Sequence, residues 1–180
     1  QSFDRPARPV MDPSPWVVHH AGLVPAGTPV LDLACGSGRH ARFFAGRGHP
    51  VTAVDIDITV CGGLAGQPGI TLLQLDLEAG PWPFPAGQFG GIVMTNYLHR
   101  PHFPHLPGTL MAGGVLIIET FGAGNERFGR PRNPDFLLAE GELRAVFGAA
   151  LEVVAYEHVT EEAPRPAVRQ RIVALRAGPR

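Results

Sequence analysis

The sequence predicts an α/β fold, a mostly parallel sheet with helices on both faces. Three observations carry that expectation. Short apolar runs of strand character recur at 29–33, 51–55, 70–75, 91–95 and 115–119, separated by turn residues or helical patterns. A glycine turn, Gly36-Ser37-Gly38, joins the first run to a helical apolar pattern that begins with Ala41, Phe43, Phe44 and Ala45. Acids stand at the ends of the first three runs: Asp32, Asp55 and Asp76. In an open α/β sheet, those ends border the crevice where ligands lie.

Composition sets the outer bounds. With 180 residues, 44% hydrophobic and 17% charged, the chain is expected to form one globular domain, residues 14–180, with no room for a second. A net charge of −1 and a pI near 6.8 give no global footprint for nucleic acid or a membrane surface. All 15 basic residues are arginine, which excludes a Schiff-base lysine, a P-loop lysine and a lysine general base. Cys35 and Cys61 form neither a C-x-x-C pair nor a zinc framework. A cytoplasmic protein with two reduced thiols is therefore expected. No apolar run approaches membrane-spanning length, and no charged-then-apolar leader pattern occurs. The chain begins at Gln1, so further residues upstream are expected.

Residues 1–13 are proline-rich and aperiodic, and are expected to form a flexible arm. Ser14-Pro15-Trp16 reads as a helix start, serine at the N-cap and proline at N1. Trp16 with His19 or His20 is a candidate pocket wall, the alternative being plain packing on the sheet. The first strand (29–33) leads through the glycine turn into a helix over 38–47, which Gly48 and Pro50 end.

A G-x-G-x-x-A string, spelled by Gly36, Gly38 and Ala41, suggests a dinucleotide site when taken alone. Asp32 argues otherwise, because a carboxylate four residues before the first glycine repels phosphate and attracts an amine. The bland alternative is a tight strand-to-helix connection with no ligand. The stretch DLACGSG, residues 32–38, resembles the first motif of the class I S-adenosylmethionine (SAM) dependent methyltransferases. The resemblance extends over about 28–177. It implies a Rossmann-like sheet of seven strands in the order 3-2-1-4-5-7-6, with one antiparallel edge strand. It also implies SAM as cofactor, S-adenosyl-L-homocysteine as product, and cofactor contacts from Asp32, Ala34, Cys35, Gly36 and Gly38.

Asp55 closes the second strand, 51–55, where a carboxylate can accept both ribose hydroxyls. The resemblance gives Asp55 the same role, with Ile56 beside it. Asp57 is the alternative acid, and either also reads as a helix N-cap. Gly62, Gly63 and Gly66 leave room for one short helix in 58–68. The third strand, 70–75, ends in Asp76-Leu77, which the resemblance places against adenine. Prolines 81, 83 and 85 make 81–89 a loop. The fourth strand, 91–95, starts after Gly90, where many members of the family carry an aspartate.

Asn96, Tyr97, Leu98 and His99 follow the fourth strand and face the expected acceptor. Asn96 is a cofactor contact by resemblance. Tyr97 and His99 are the candidate catalytic groups, His99 for its near-neutral pKa. An N-P-P-Y signature for exocyclic amines is absent here, which lowers the expectation of a nucleobase or glutamine amine. His99, His102 and His105 recur every third residue, but Pro101, Pro104 and Pro107 break the helix that would gather them. No metal is expected.

The fifth strand, 115–119, is wholly apolar up to Glu119. A long structureless insert is expected over 120–134, in which Arg127 and Arg130, with Arg132, are candidate clamps for an anionic substrate or merely solvated charges. The runs NYLHRP, ETF, NERFGRP and NPDFLL resemble a small bacterial subgroup near the tellurite-resistance (TehB-type) methyltransferases. A helix over 138–147 and a hairpin of strands, 151–159 and 168–175, complete the chain.

The expected activity is methyl transfer from SAM by in-line displacement to a small-molecule acceptor, anionic or metalloid, with RNA or protein acceptors kept open and no membrane partner. Two alternatives stand beside it: an NAD-binding oxidoreductase and a SAM-binding module without catalysis.

Overall fold

The computed structural model describes residues 11–178. Residues 1–10 of the expected arm, and the last two residues, lie outside the described residues. Seven strands form one sheet: β1 (Val30–Leu33), β2 (Val51–Asp55), β3 (Ile70–Gln74), β4 (Phe89–Thr95), β5 (Leu110–Phe121), β6 (Glu152–Glu161) and β7 (Ala167–Leu175), in the order β3-β2-β1-β4-β5-β7-β6. β1 pairs in parallel with β2 and β4, so Asp32 lies beside Ala53 and Val93. β7 alone runs antiparallel to β5, and it lies one place in from the edge that β6 forms.

Strands buried on both faces need apolar residues at successive positions. Here odd and even positions serve different layers. Val30, Val51, Ala53, Val93, Ile117 and Val173 pack under α1 (Pro15–His20) and α2 (Arg39–Gly46), which contribute Val17, Ala41 and Phe44. Leu31, Leu33, Ile92, Met94, Leu116 and Ile172 face Leu106 of α3 (Leu106–Thr109) and Leu143 and Phe147 of α4 (Glu142–Phe147). Truncating a fully buried ring such as Phe44 or Phe147 to alanine costs about 3–5 kcal/mol.

Four local expectations are revised. The single helix expected in 58–68 is two 3-10 turns, Ile58–Cys61 and Leu64–Gly66, because Gly62 and Gly63 both take left-handed φ between them. β5 is longer than expected, beginning where Leu110 pairs with Phe89. The 120–134 insert is ordered rather than structureless. β5 runs to Phe121, Gly122 bridges Leu138, and the buried Asn125 side chain accepts the Val168 N–H and donates to the Pro131 carbonyl. That bridge also delays the following helix, which starts at Glu142.

The proline-rich loop before β4 is held by Trp82, whose indole N–H donates to Thr109 Oγ1 at 3.0 Å. Gly90 is required by packing, since a Cβ there would stand 1.8 Å from Thr28 Oγ1. Among the described residues, no helix is long and apolar enough to cross a membrane.

Candidate active site at the carboxyl ends of β1, β2 and β4

The turn after β1 alternates hands. Ala34 (φ 53°), Gly36 (φ 53°) and Gly38 (φ 82°) are left-handed. Neighbouring strands fasten it: the Cys35 N–H donates to the Val54 carbonyl, and the Gly36 N–H donates to Asp55 Oδ2, both at 2.9 Å. The two glycines differ in what surrounds them. A Cβ on Gly38 would stand 2.7 Å from Leu64 Cδ2, whereas a Cβ on Gly36 would meet nothing within 4 Å. Gly38 therefore closes the packing, and Gly36 leaves its backbone open to the crevice.

The acids take separate roles. Asp55 Oδ1 also accepts the Asp57 N–H, which leaves its remaining lone pairs for a ligand. Asp57 caps the 3-10 turn after it, accepting the Thr59 N–H and hydroxyl. Asp76 accepts the Glu78 N–H at 3.0 Å, with Leu77 half-buried beside it and Ile56 exposed beyond β2.

Asp32 is the exceptional group. It is 1% exposed, and its Oδ2 has no hydrogen-bond partner among the described residues. Burial pushes its carboxyl up to about 7, with the Asp55 charge adding to the rise. A buried, unpaired carboxyl oxygen costs free energy unless a donor arrives. The ammonium of a methionyl group is such a donor, so this residue fits the amino-acid end of SAM.

At the end of β4, Asn96 is also left-handed (φ 53°); its N–H donates to the Glu119 carbonyl and its Oδ1 accepts from Arg169. Two cavities flank this point. On the Asp76 side is a small one of about 120 Å³ lined by Leu77, Glu78, His99 and His102. Tyr97 Oη stands 3.0 Å from His102 Nε2, and His99 Nδ1 stands 2.9 Å from Glu78 Oε1. Burial pushes His102 down to about 4, and burial followed by the Glu78 and Asp76 charges pushes the Tyr97 phenol further above its ordinary value. Tyr97 thus keeps its proton. His105 stacks on Trp82, so each of the three spaced histidines has its own neighbour.

The larger cavity, about 690 Å³, opens on the other side, between α1 and the β6–β7 hairpin. Trp16, His19 and His20 form one wall. Two bonds fix that wall: the Ser14 N–H donates to His40 Nε2 at 3.0 Å, and the Trp16 indole N–H reaches the Ile172 carbonyl at 3.4 Å. Burial pushes His40 down to about 3, so it stays neutral and able to accept.

Charge on the opposite wall is ordered. Arg171 binds Glu119, Glu157 and Glu161 together, and Arg169 pairs with Glu161 while lying 4.5 Å over the Phe121 ring.

The structure does not bring the four substrate-facing candidates to this cavity. Tyr97 and His99 lie toward Asp76 instead. Arg127 is exposed, folds back on the Gly124 carbonyl and stacks on Phe128, and Arg130 is exposed on the same loop, because the Gly122–Leu138 bridge turns that loop outward. Arg39, Arg169 and Arg171 line the cavity in their place. The i, i+2 spacing of Arg169 with Arg171 on a strand was the available sequence signal.

The chain is similar to several known proteins. A family model described as a methyltransferase domain matches residues 30–111. A tRNA U34 carboxymethyltransferase of Marinobacter nauticus is 30% identical over 131 residues, 62% of this chain and 40% of that protein. The TehB structure from Haemophilus influenzae superposes with a TM-score of 0.73 at 20% identity, over 89% of this chain and 61% of that one. A 1,6-didemethyltoxoflavin-N1-methyltransferase of Burkholderia thailandensis, solved with 1,6-didemethyltoxoflavin and S-adenosylhomocysteine, gives 0.67 at 19% identity, over 89% of this chain and 76% of that one. This chain thus spans less than two thirds of the length of the first two. The methyltransferase-domain model runs from β1 to the first residues of β5, and the two superposed structures share the fold of this chain.

Proposed function

We propose that this chain binds SAM across the ends of β1, β2 and β3 and transfers its methyl group to a small molecule seated in the 690 Å³ cavity. The buried Asp32, whose Oδ2 has no partner among the described residues, beside a glycine turn held by Asp55, carries the reading. In it, the backbone from Ala34 to Gly38 cradles the methionyl part and Asp32 meets its ammonium. Asp55 accepts the ribose hydroxyls, and Ile56, Asp76 and Leu77 border adenine. Asn96 sits between donor and acceptor spaces.

Bound SAM supplies a methyl group on a positive sulfur that leaves as a neutral thioether. The protein's part is alignment, and fixing two reactants in line is worth about 7–11 kcal/mol of barrier. Residues 14–178 act as one unit in this, because α1 closes the cavity that the hairpin opens. Tyr97 lies outside this cavity, on the Asp76 side, with His102 as its partner. A small acceptor is favoured by the size of the cavity, about 690 Å³.

The test is a thermal-shift and calorimetric comparison of S-adenosylhomocysteine with NAD, followed by incubation of labelled SAM with separate small-molecule, tRNA and protein pools. Binding of S-adenosylhomocysteine alone and label in the small-molecule pool are expected. Stabilisation by NAD instead would overturn the donor, label in tRNA would overturn the acceptor class, and no label in any pool would leave a binding module.

A further inference from the structure

We infer that the molecule methylated in the large cavity is an aromatic amine, its two N–H groups held by Glu119 and His20, and that His20 takes the proton it releases. The inference rests on the cofactor reading above and names the acceptor class for the same cavity.

The lining of the cavity includes three cations, Arg39, Arg169 and Arg171, and three carboxylates, Glu119, Glu157 and Glu161. That balance offers an anionic acceptor no net attraction. Each guanidinium also donates within the protein already: Arg171 to three glutamates, Arg169 to Glu161 and Asn96, and Arg39 to the Asp12 carbonyl. What the cavity leaves open is a pair of hydrogen-bond acceptors.

Glu119 is the first. It pairs with Thr95 across β4 and β5, and its carbonyl accepts the Asn96 N–H, so it stands where β4 ends. The residue is buried and lines the cavity, with Oε2 on Arg171, while Oε1 makes no hydrogen bond among the described residues. A desolvated carboxylate oxygen left free in this way is satisfied by a donor entering the cavity.

His20 is the second and comes from another element. Its Nδ1 stands 2.8 Å from the Trp16 carbonyl. A carbonyl can only accept, so the ring proton is on Nδ1 and Nε2 carries a lone pair. Nδ1 turns back on its own helix, Nε2 has no partner among the described residues, and the residue lines the cavity. The rings of Trp16 and His19, with centroids 4.4 and 4.8 Å from that of His20, hold the imidazole in place. Together they make an aromatic wall for a flat ring.

A primary aromatic amine brings two N–H groups and one lone pair. With one N–H on Glu119 Oε1 and the other on His20 Nε2, the lone pair is left for the methyl carbon. As the N–C bond forms, the C–S bond breaks and its electron pair stays on sulfur, giving S-adenosylhomocysteine. The proton on the His20 side moves to Nε2 and then to water. Glu119 stays ionised and stabilises the positive charge that grows on nitrogen. A hydroxyl acceptor can satisfy only one of the two groups, and a carboxylate neither.

The experiment gives the full chain labelled SAM and three probes of similar size, 5-aminoindole, 5-hydroxyindole and indole-5-carboxylate, at pH 8, where the amine is uncharged. Label is expected in 5-aminoindole at a kcat/KM at least about tenfold above 5-hydroxyindole, with none in indole-5-carboxylate. Glu119→Gln turns its oxygen to Arg171 and presents an NH2 where the amine needs an acceptor, so KM for 5-aminoindole should rise about tenfold. His20→Asn keeps a donor for the Trp16 carbonyl and removes Nε2, so kcat should fall about 100-fold. Melting temperature and S-adenosylhomocysteine titration check that both variants fold and keep the donor site. A wild type that prefers 5-hydroxyindole or indole-5-carboxylate, or either variant at wild-type kinetic constants, overturns the inference. So does a wild type that binds S-adenosylhomocysteine and labels none of the three, and these results leave the cofactor reading standing. A wild type that binds no S-adenosylhomocysteine overturns both.

Discussion

The Asp55 carboxylate accepts the Gly36 N–H at 2.9 Å, so the end of β2 holds the turn that follows β1. One side chain thereby ties the β1 turn to the end of β2, and in the proposed cofactor site it would shape the methionyl side while accepting from the ribose. Asp55→Ala should cost about 1.5–3 kcal/mol of stability through the lost charge-assisted bond, and S-adenosylhomocysteine affinity should fall at least about tenfold. Denaturant melts and calorimetry measure the two losses. Undiminished affinity would shift the ribose role away from this residue.

Gly36 and Gly38 should respond differently to the same substitution. Gly38→Ala forces a methyl against Leu64, and the strain and overpacking together should cost about 2–4 kcal/mol. Gly36→Ala meets no neighbour, so its cost should stay near about 1–2 kcal/mol, from φ alone. Its methyl projects into the crevice, however, and should abolish most cofactor affinity. Melting temperature should rank Gly38→Ala as the worse variant, and S-adenosylhomocysteine titration should show Gly36→Ala losing more affinity than its stability cost explains.

Asp32 predicts a pH dependence with two signs. Its carboxyl lies near 7 in the ligand-free fold against an ordinary value of 3.8, so the fold holds that proton more tightly than the unfolded chain does. This group's contribution to stability is complete below pH 3.8 and is lost as pH rises to about 7, at about 1.4 kcal/mol per unit. Cofactor binding runs the other way, because an ammonium needs the ionised carboxylate. S-adenosylhomocysteine affinity should rise with pH and level off above about 7. Asp32→Asn should melt higher than wild type at pH 8, bind more weakly, and lose the pH dependence of binding. A flat wild-type profile would separate Asp32 from the ammonium.

Arg171 gathers Glu119, Glu157 and Glu161 against the cavity wall, and Glu119 is buried. Arg171→Met leaves that carboxylate without its cation and should cost about 3–5 kcal/mol. Adding Glu119→Gln should recover most of the loss, since the desolvated charge is then gone. A double-mutant cycle in urea gives the coupling directly.

What the sequence revealed about the crevice depended on local rules. Glycines 36 and 38, an acid before them, and acids ending the next two strands are contiguous or near-contiguous signals, and the structure sets them along neighbouring parallel strands. The arginines were harder. Arg127 and Arg130 drew attention because they cluster in sequence, but one bridge from Gly122 to Leu138 turns their loop away. Arg169 and Arg171 reach the cavity from the far end of the chain, through the pairing of β7 with β5. Nothing within a short window encodes that pairing. Ser14 was legible as a helix start, but its missing cap bond is visible only in three dimensions.

Ala34 and Asn96 are the non-glycine residues with positive φ among those described, and they follow β1 and β4, adjacent strands of the sheet. For alanine that conformation costs about 1–2 kcal/mol. The cost falls on folding, before any ligand arrives. Association then begins from a preorganised backbone and loses little to rearrangement. A site stiffened in this way should favour one donor strongly and leave variation between relatives to the more adaptable walls on the acceptor side.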